Sequence, residues 1–151
     1  MRELAADAKG TSTVEFALMV PLLILLTVGF LDFARALNAE VVVGSASQEG
    51  AHYAILNPSA APADIQDAAR TRTAPLSASS ITVTAEYYDS ATATFRTWPS
   101  TGIPANSPTR GVLVRVNVSY PWSAVSVVAG TFFSTSGART LTASSVMETR
   151  R

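Results

Sequence analysis

The sequence predicts an α+β fold in which one long N-terminal helix, first transmembrane and then amphipathic, packs on a small, mainly antiparallel β-sheet. Three observations lead to this fold class. Residues 16–31 form an apolar run without a charged side chain. Apolar residues at helical spacing continue beyond this run as far as Asn57-Pro58. From residue 80 onwards, apolar residues recur at every second position, which is typical of half-buried strands.

The apolar run is the candidate membrane anchor. As a helix its sixteen residues reach about 24 Å, which is less than the roughly 30 Å of a bilayer's hydrocarbon core. Uncharged neighbours on the N-terminal side extend the run, so we expect the transmembrane part to cover about residues 14–31. Glu15 then lies inside the membrane or at its boundary, where a carboxylate costs about 2.5–3.5 kcal/mol and needs a partner. Pro21 lies inside the run and is expected to kink the helix, because it lacks a backbone donor.

The second half of the helix is predicted to be amphipathic and to carry the globular domain. Its predicted apolar face consists of residues three and four apart, namely Leu37, Val41, Gly44, Gln48, Ala51 and Ile55. The opposite, polar side would hold Asn38, Glu40, Ser45, Ser47 and Glu49. The helix should stop at Asn57-Pro58, since a residue before proline disfavours α geometry.

The domain at residues 57–151 is predicted from short helical and strand patterns. A short helix is expected over residues 63–72, and residues 99–108, which contain three prolines, should form a loop. Strands are expected at residues 81–88, 91–98, 112–120 and 140–148, with Asp89-Ser90 as a turn and Pro121 ending the third strand. The apolar residues 123–133 fit either a covering strand or a short helix.

Composition narrows the function. A chain of 151 residues suits one membrane helix and one small domain, and eleven basic residues balance eleven acidic ones, so nothing indicates a nucleic-acid partner. The sequence has no cysteine, hence no disulfide and no thiolate metal site. We find no nucleophile–base set, no phosphate loop and no metal-ligand spacing. His52, the only histidine, is interpreted as a packing or boundary residue. The expectation is a protein that is not an enzyme, with no cofactor and no small-molecule substrate.

Several short stretches resemble a known family. A polar N-terminus ends in Gly10, and Glu15 is the fifth residue after it, as in the class III signals of type IV pilin-like proteins. The stretches Val14-Glu15-Phe16-Ala17-Leu18, Pro21-Leu22-Leu23, Asp32-Phe33-Ala34-Arg35 and Ala46-Ser47-Gln48-Glu49-Gly50-Ala51-His52-Tyr53-Ala54 resemble those of the TadE-like family. Members of that family are pseudopilins of the tight-adherence (Flp-type) pilus system. The resemblance is close over residues 10–54 and general beyond them.

The resemblance implies specific roles for individual residues. Residues 1–10 would be a leader peptide that a prepilin peptidase removes after Gly10, leaving Thr11 as the new N-terminus. Glu15 and Phe16 become candidates for assembly or recognition, and the Glu15 carboxylate could pair with the Thr11 amine of its own or a neighbouring chain. The implied partners are the peptidase, other pilins or pseudopilins, the assembly platform and the inner membrane. The implied topology is a single pass with the C-terminal domain outside the cytoplasm, and the protein could enter an extracellular pilus.

The sequence leaves two other hypotheses open. The protein could be an uncut, membrane-anchored periplasmic scaffold of the same machinery. Alternatively, Ala34-Arg35-Ala36 resembles a signal-peptidase site, and cleavage there would release a secreted soluble domain beginning at Leu37. The mature N-terminus distinguishes the three hypotheses: Thr11 for the cleaved pseudopilin, Met1 for the uncut scaffold and Leu37 for the secreted domain.

Overall fold

The computed structural model describes residues 2–74, 76–104, 111–126 and 138–149, with side chains from residue 10 onwards except at residue 78. Its helices are α1 (Arg2–Leu56) and α2 (Pro62–Arg70), and a single 3-10 turn covers Ala78–Ser80. Its strands are β1 (Thr82–Asp89), β2 (Thr94–Thr97), β3 (Leu113–Ser123) and β4 (Ala138–Glu148). The chain divides into two units: a first unit of Met1–Arg35 and Ser123–Ala138, and a second unit of Ala36–Trp122 and Arg139–Arg151.

Helix α1 ends where the sequence predicts but begins earlier. It runs without a break from Arg2, whereas we expected it to begin at residue 11, and Pro21 lies within it. It ends at Leu56, and the side-chain amide of Asn57 donates to the Tyr53 carbonyl at 3.1 Å. Asn57 therefore caps the end of the helix at the position where Pro58 disfavours another turn.

The four strands form one antiparallel sheet in the order β2-β1-β3-β4. Ala85 of β1 lies opposite Val116 of β3, and Tyr88 of β1 lies opposite Phe95 of β2. The predicted alternation in β3 is confirmed, since Val114, Val116 and Val118 are buried while the residues between them are half-buried. Together with the long N-terminal helix, this sheet confirms the predicted α+β fold.

Small residues of α1 make the contact with the sheet. The buried side of the helix in the second unit consists of Ala39, Val43, Ala46, Ser47, Gly50, Ala51 and Ala54. A methyl group placed on Gly50 would lie only 3.0 Å from Val116 Cγ1 and 3.2 Å from Ala69 Cβ. This close approach leaves no space for a larger side chain at position 50.

The predicted apolar face of α1 was therefore wrong in part. Leu37 and Val41 were expected to cover the sheet but are 47% and 68% exposed, and Gln48 is also exposed. Ser47 was assigned to the polar side but is buried, where its hydroxyl donates to the Gly44 carbonyl at 2.8 Å. The internal hydrogen bond makes burial of this small hydroxyl acceptable, while the larger apolar residues point away.

Two strand boundaries also differ from the prediction. β3 continues through Pro121 to Ser123, although we expected Pro121 to end it. The register of β1 against β3 stops at Ser119, so Pro121 lies beyond the pairing with β1 and no donor is required of it there. β2 is shorter than predicted, because the Asp89 carboxylate accepts a hydrogen bond from the Ala91 amide and holds residues 90–93 in a turn. Most of the ambiguous segment 123–133 lies outside the described residues, as do residues 105–110 of the predicted loop.

Candidate functional site

The residues singled out from the sequence lie along the N-terminal part of α1. Gly10, Thr11, Glu15 and Phe16 are helical and exposed. Thr11 and Glu15 are four residues apart, so they share one side of the helix, and helical side chains lean towards the N-terminus. The Glu15 side chain is thus on the side of Thr11 and leans in its direction. Within the described part of the chain, Glu15 forms no ion pair.

Packing among the described residues does not require glycine at position 10. A methyl group placed there would meet no described atom within 4 Å, and the same holds for Gly29. At Gly50, by contrast, neighbouring side chains occupy that space. If selection acts on Gly10, the reason lies in another molecule or in the local mobility that glycine gives a helix.

Most side chains of the apolar run are exposed within the described part of the chain, while Val20 and Val28 are half-buried. Its large exposed residues are Phe16, Leu18, Met19, Leu22, Leu23, Ile24, Leu25, Leu26, Phe30 and Leu31. The helix from Gly10 onwards contains a window long and apolar enough to cross a membrane, and no residue of that window is fully buried among the residues that the structure describes. Water is a poor environment for such a surface, so a bilayer or apolar partner helices suit it.

Pro21 and Thr27 add polar detail inside the apolar run. Helix α1 stays continuous at Pro21, although proline cannot donate to the Ala17 carbonyl one turn earlier. The Thr27 hydroxyl donates to the Leu23 carbonyl at 2.7 Å, which satisfies its own hydrogen bond inside the helix. The anchor therefore carries one carbonyl without its usual helical donor, that of Ala17.

Asp32 forms a site that the sequence did not reveal. Its carboxylate is only 2% exposed and accepts backbone hydrogen bonds from Val125, at 3.1 Å, and from Ser126, at 2.7 Å. Arg35, one turn further along α1, donates to the same carboxylate at 3.0 Å. All these residues belong to the first unit. The carboxylate therefore joins the end of the apolar run to the chain that follows β3.

These donors fix the charge state of Asp32. The Ser126 backbone amide has the largest effect, and with the Ser126 hydroxyl, the Val125 amide and Arg35 it lowers the pKa of Asp32 from 3.8 to about 2. Burial acts in the opposite direction, but it is outweighed. Asp32 is therefore an anion at neutral pH. The only sign of this role in the sequence is that Asp32 directly follows an uncharged run and that Arg35 comes three residues later. The amide donors could not be predicted, because they lie more than ninety residues away in the sequence.

His52 lies on a groove in the second unit. This open groove of about 550 Å³ is lined by Val41, Val42, Ser45, Gln48, Glu49, His52, Arg72 and Met147. Arg72 and Glu49 form an ion pair across it at 2.9 Å. His52 is exposed there, and the described residues contain no group of three side chains suited to a metal ion. Of its polar side chains, Ser45 donates to the Val41 carbonyl at 2.9 Å and Glu49 is paired with Arg72.

Comparison with known proteins gives one match. Residues 10–52 match the model of a family described as TadE-like protein. This segment contains Gly10, Thr11, Glu15, the whole apolar run and Asp32, and it ends at His52. No curated protein and no solved structure matches the chain.

Proposed function

From the match of residues 10–52 to the TadE-like family model, we propose that this protein is a minor pilin-like (pseudopilin) component of a tight-adherence pilus. It is anchored in the inner membrane by a single helix, carries its C-terminal domain outside the cytoplasm, and is cut by a prepilin peptidase after Gly10. It acts as a structural or assembly subunit and is not an enzyme. The observation that carries the proposal is the coincidence, in one segment, of the family match with an apolar helix that is mostly exposed within the described part of the chain.

The environment of Gly10 supports the position of the cut. A peptidase must bind the chain in an extended form, whereas residues on both sides of Gly10 are helical in the intact chain. The helix therefore has to open locally, and glycine lowers the cost of opening by about 1 kcal/mol relative to alanine. The open space around Gly10 also means that its small size serves no contact with the side chains that the structure describes.

Glu15 supports a role in assembly after that cut. Removal of residues 1–10 leaves a positively charged amine on Thr11 at the start of a helix, where the helix dipole disfavours a cation. A carboxylate one turn later can neutralise this amine, on its own chain or on a neighbour in a packed bundle. Such pairing would fix the axial position of one subunit against the next. Phe16, exposed beside Glu15, would contribute an apolar contact to the same assembly.

Two alternatives remain as competing outcomes. An uncut, membrane-anchored scaffold of the same machinery would keep Met1. A secreted domain released after Ala34-Arg35-Ala36 would begin at Leu37, but Arg35 is bonded to Asp32, which is buried and bound by the amides of Val125 and Ser126. These contacts weigh against a signal-peptidase site in an extended segment.

The mature N-terminus tests the proposal directly. The full chain is expressed together with a prepilin peptidase, and the membrane-embedded product is analysed by intact-mass and N-terminal mass spectrometry. We expect the parent protein to begin at Thr11 and Gly10→Val to begin at Met1. The matched control Gly29→Val makes the same replacement in open space and should still begin at Thr11.

Other results would favour the alternatives. If the parent and Gly10→Val share the N-terminus Met1, the uncut scaffold takes the place of the proposed pseudopilin. A shared N-terminus at Leu37 would instead indicate release by signal peptidase. Blocked cleavage in both valine variants would show that the assignment to Gly10 itself is wrong.

A further inference from the structure

The chain directly after β3 is held at one level of helix α1. Val125 and Ser126 donate consecutive backbone N–H groups to the two oxygens of the Asp32 carboxylate, at 3.1 Å and 2.7 Å. Two adjacent donors on one buried anion fix both the position and the direction of this short segment. The Val125 side chain nevertheless remains 75% exposed.

That level coincides with the end of the apolar run. Asp32 is the first charged residue after Glu15, and most of the run between them is exposed, with Val20 and Val28 half-buried. If the run lies in hydrocarbon, Asp32 marks the boundary between the acyl chains and the headgroups. Val125, held within hydrogen-bonding distance of Asp32, must then lie at the same boundary.

The residues around Asp32 have the chemistry of a bilayer interface. No charged residue occurs between Arg115 and Arg139, so the sequence leading away from Val125 in both directions is uncharged. Arg35 is exposed apart from its bond to Asp32, which leaves guanidinium donors that can meet lipid phosphates. An apolar side chain next to a cation is the combination found in segments that lie at membrane surfaces.

We propose that the segment at Val125 is a second membrane contact, which rests on the headgroup–acyl boundary beside the anchor helix and is held there by Asp32. Its occupant is phospholipid, with acyl chains against Val125 and headgroup phosphate against Arg35. This contact rests on the membrane anchoring in the proposed function, but it does not depend on cleavage after Gly10. It adds a fixed point at the membrane surface to an anchor that could otherwise rotate about its axis.

The test uses depth-dependent quenching of a fluorophore. Since the chain contains no cysteine, Val125→Cys gives a single labelling site for an environment-sensitive NBD probe, and the backbone donor is kept. Thr27→Cys and Ser90→Cys serve as references within the apolar run and in the exposed turn after β1. The full chain is reconstituted at high dilution in phosphatidylethanolamine–phosphatidylglycerol vesicles that carry a nitroxide on the headgroup or deep in the acyl chains.

Each labelled position has a distinct expected result. The probe at residue 125 should be quenched more strongly by the headgroup nitroxide than by the deep one, at a depth of about 5–10 Å. The probe at residue 27 should show the reverse order, and the probe at residue 90 should be quenched by neither. Asp32→Ala should release residue 125 from the nitroxide while residue 27 stays unchanged, and the matched control Glu40→Ala should leave both unchanged.

The outcomes separate this inference from the proposed anchoring. An unquenched probe at residue 125 together with a quenched probe at residue 27 would overturn the second contact alone. A blue-shifted but unquenched probe at residue 125 would show that protein, rather than lipid, covers it. Loss of quenching at residue 27 in the parent would overturn both the anchor and this contact. Asp32→Asn keeps one acceptor oxygen and the side-chain shape, so headgroup quenching of the probe at residue 125 should lie between that of the parent and that of Asp32→Ala. Equal quenching in the parent, Asp32→Asn and Asp32→Ala would show that Asp32 does not hold the segment at Val125.

Discussion

Replacing Gly50 by alanine measures how tightly α1 approaches the sheet. The new methyl group would lie 3.0 Å from Val116 Cγ1, 3.2 Å from Ala69 Cβ and 3.6 Å from the Ile65 carbonyl oxygen. Val116, Ala69 and Ile65 are fully buried, on β3 and α2, so relief requires a shift of packed elements. Gly44 lies on the same helix, but a methyl group there meets nothing within 4 Å.

Two opposing terms set the magnitude. Alanine stabilises a helix interior relative to glycine by about 0.8–1 kcal/mol, and this gain applies at both positions. Adding a methyl group to a filled core costs about 1–3 kcal/mol, and this cost applies only at Gly50. Gly44→Ala should therefore raise the free energy of unfolding by up to about 1 kcal/mol, while Gly50→Ala should lower it by up to about 2 kcal/mol. The difference between the two variants isolates the close contact.

Thermal and urea unfolding of the full chain in detergent micelles would measure this difference. Trp98 and Trp122 are both buried in the second unit, so their fluorescence reports on its unfolding. For a domain of this size each kcal/mol corresponds to a midpoint shift of about 4–8 °C. A Gly50→Ala protein as stable as Gly44→Ala, or more stable, would refute the packing argument. It would show that the helix can move away from β3 without loss.

Two further predictions concern charged groups. Glu15→Ala should leave membrane insertion intact or improved, since it removes a costly charge, but it should impair pilus assembly or co-purification with partner pilins. The control Glu40→Ala should assemble normally. Normal piliation of both variants would show that Glu15 is only a boundary residue. Glu86 accepts hydrogen bonds from Arg115 at 2.6 Å and from Asn117 at 3.0 Å. The bond from Arg115 is the main reason that the pKa of Glu86 lies below its ordinary value of 4.5, although burial acts in the opposite direction. The unfolded carboxyl binds its proton at higher pH than the folded one, so this stabilisation is present above pH 4.5 and is lost as pH falls below it. Glu86→Gln should therefore flatten the loss of stability in acid, by at most the ~1 kcal/mol typical of a partly exposed ion pair. Unfolding midpoints measured from pH 7 downwards check this prediction, and identical acid profiles for both proteins would contradict it.

The sequence alone determined the features that depend on neighbouring residues. The apolar run, the spacing of Gly10 and Glu15, and the helix stop at Asn57-Pro58 are local patterns, and the helix ends as predicted. The valines of β3 alternate along one strand, so their buried side could be read directly from the period of two.

Tertiary structure decided the features that depend on distance between elements. Period alone cannot tell which side of α1 is buried when the helix contains both small and large apolar residues. Leu37 and Val41 looked like core residues, yet they are exposed, and the buried side contains Val43, Ala46 and Gly50 instead. At Gly50 the helix lies so close to Val116 of β3 that even a methyl group would be only 3.0 Å away, which favours a small residue there.

The same reason explains Asp32. A lone acid after an apolar run indicates only where the run ends, since a carboxylate at that position has no donor nearby in sequence other than Arg35. Its burial becomes favourable only when the fold places the amides of Val125 and Ser126 against it. The sequence therefore determined that a charge stands at the end of the anchor, and the tertiary structure alone decided that this charge binds a distant segment, because the donors are backbone groups that any residue could supply.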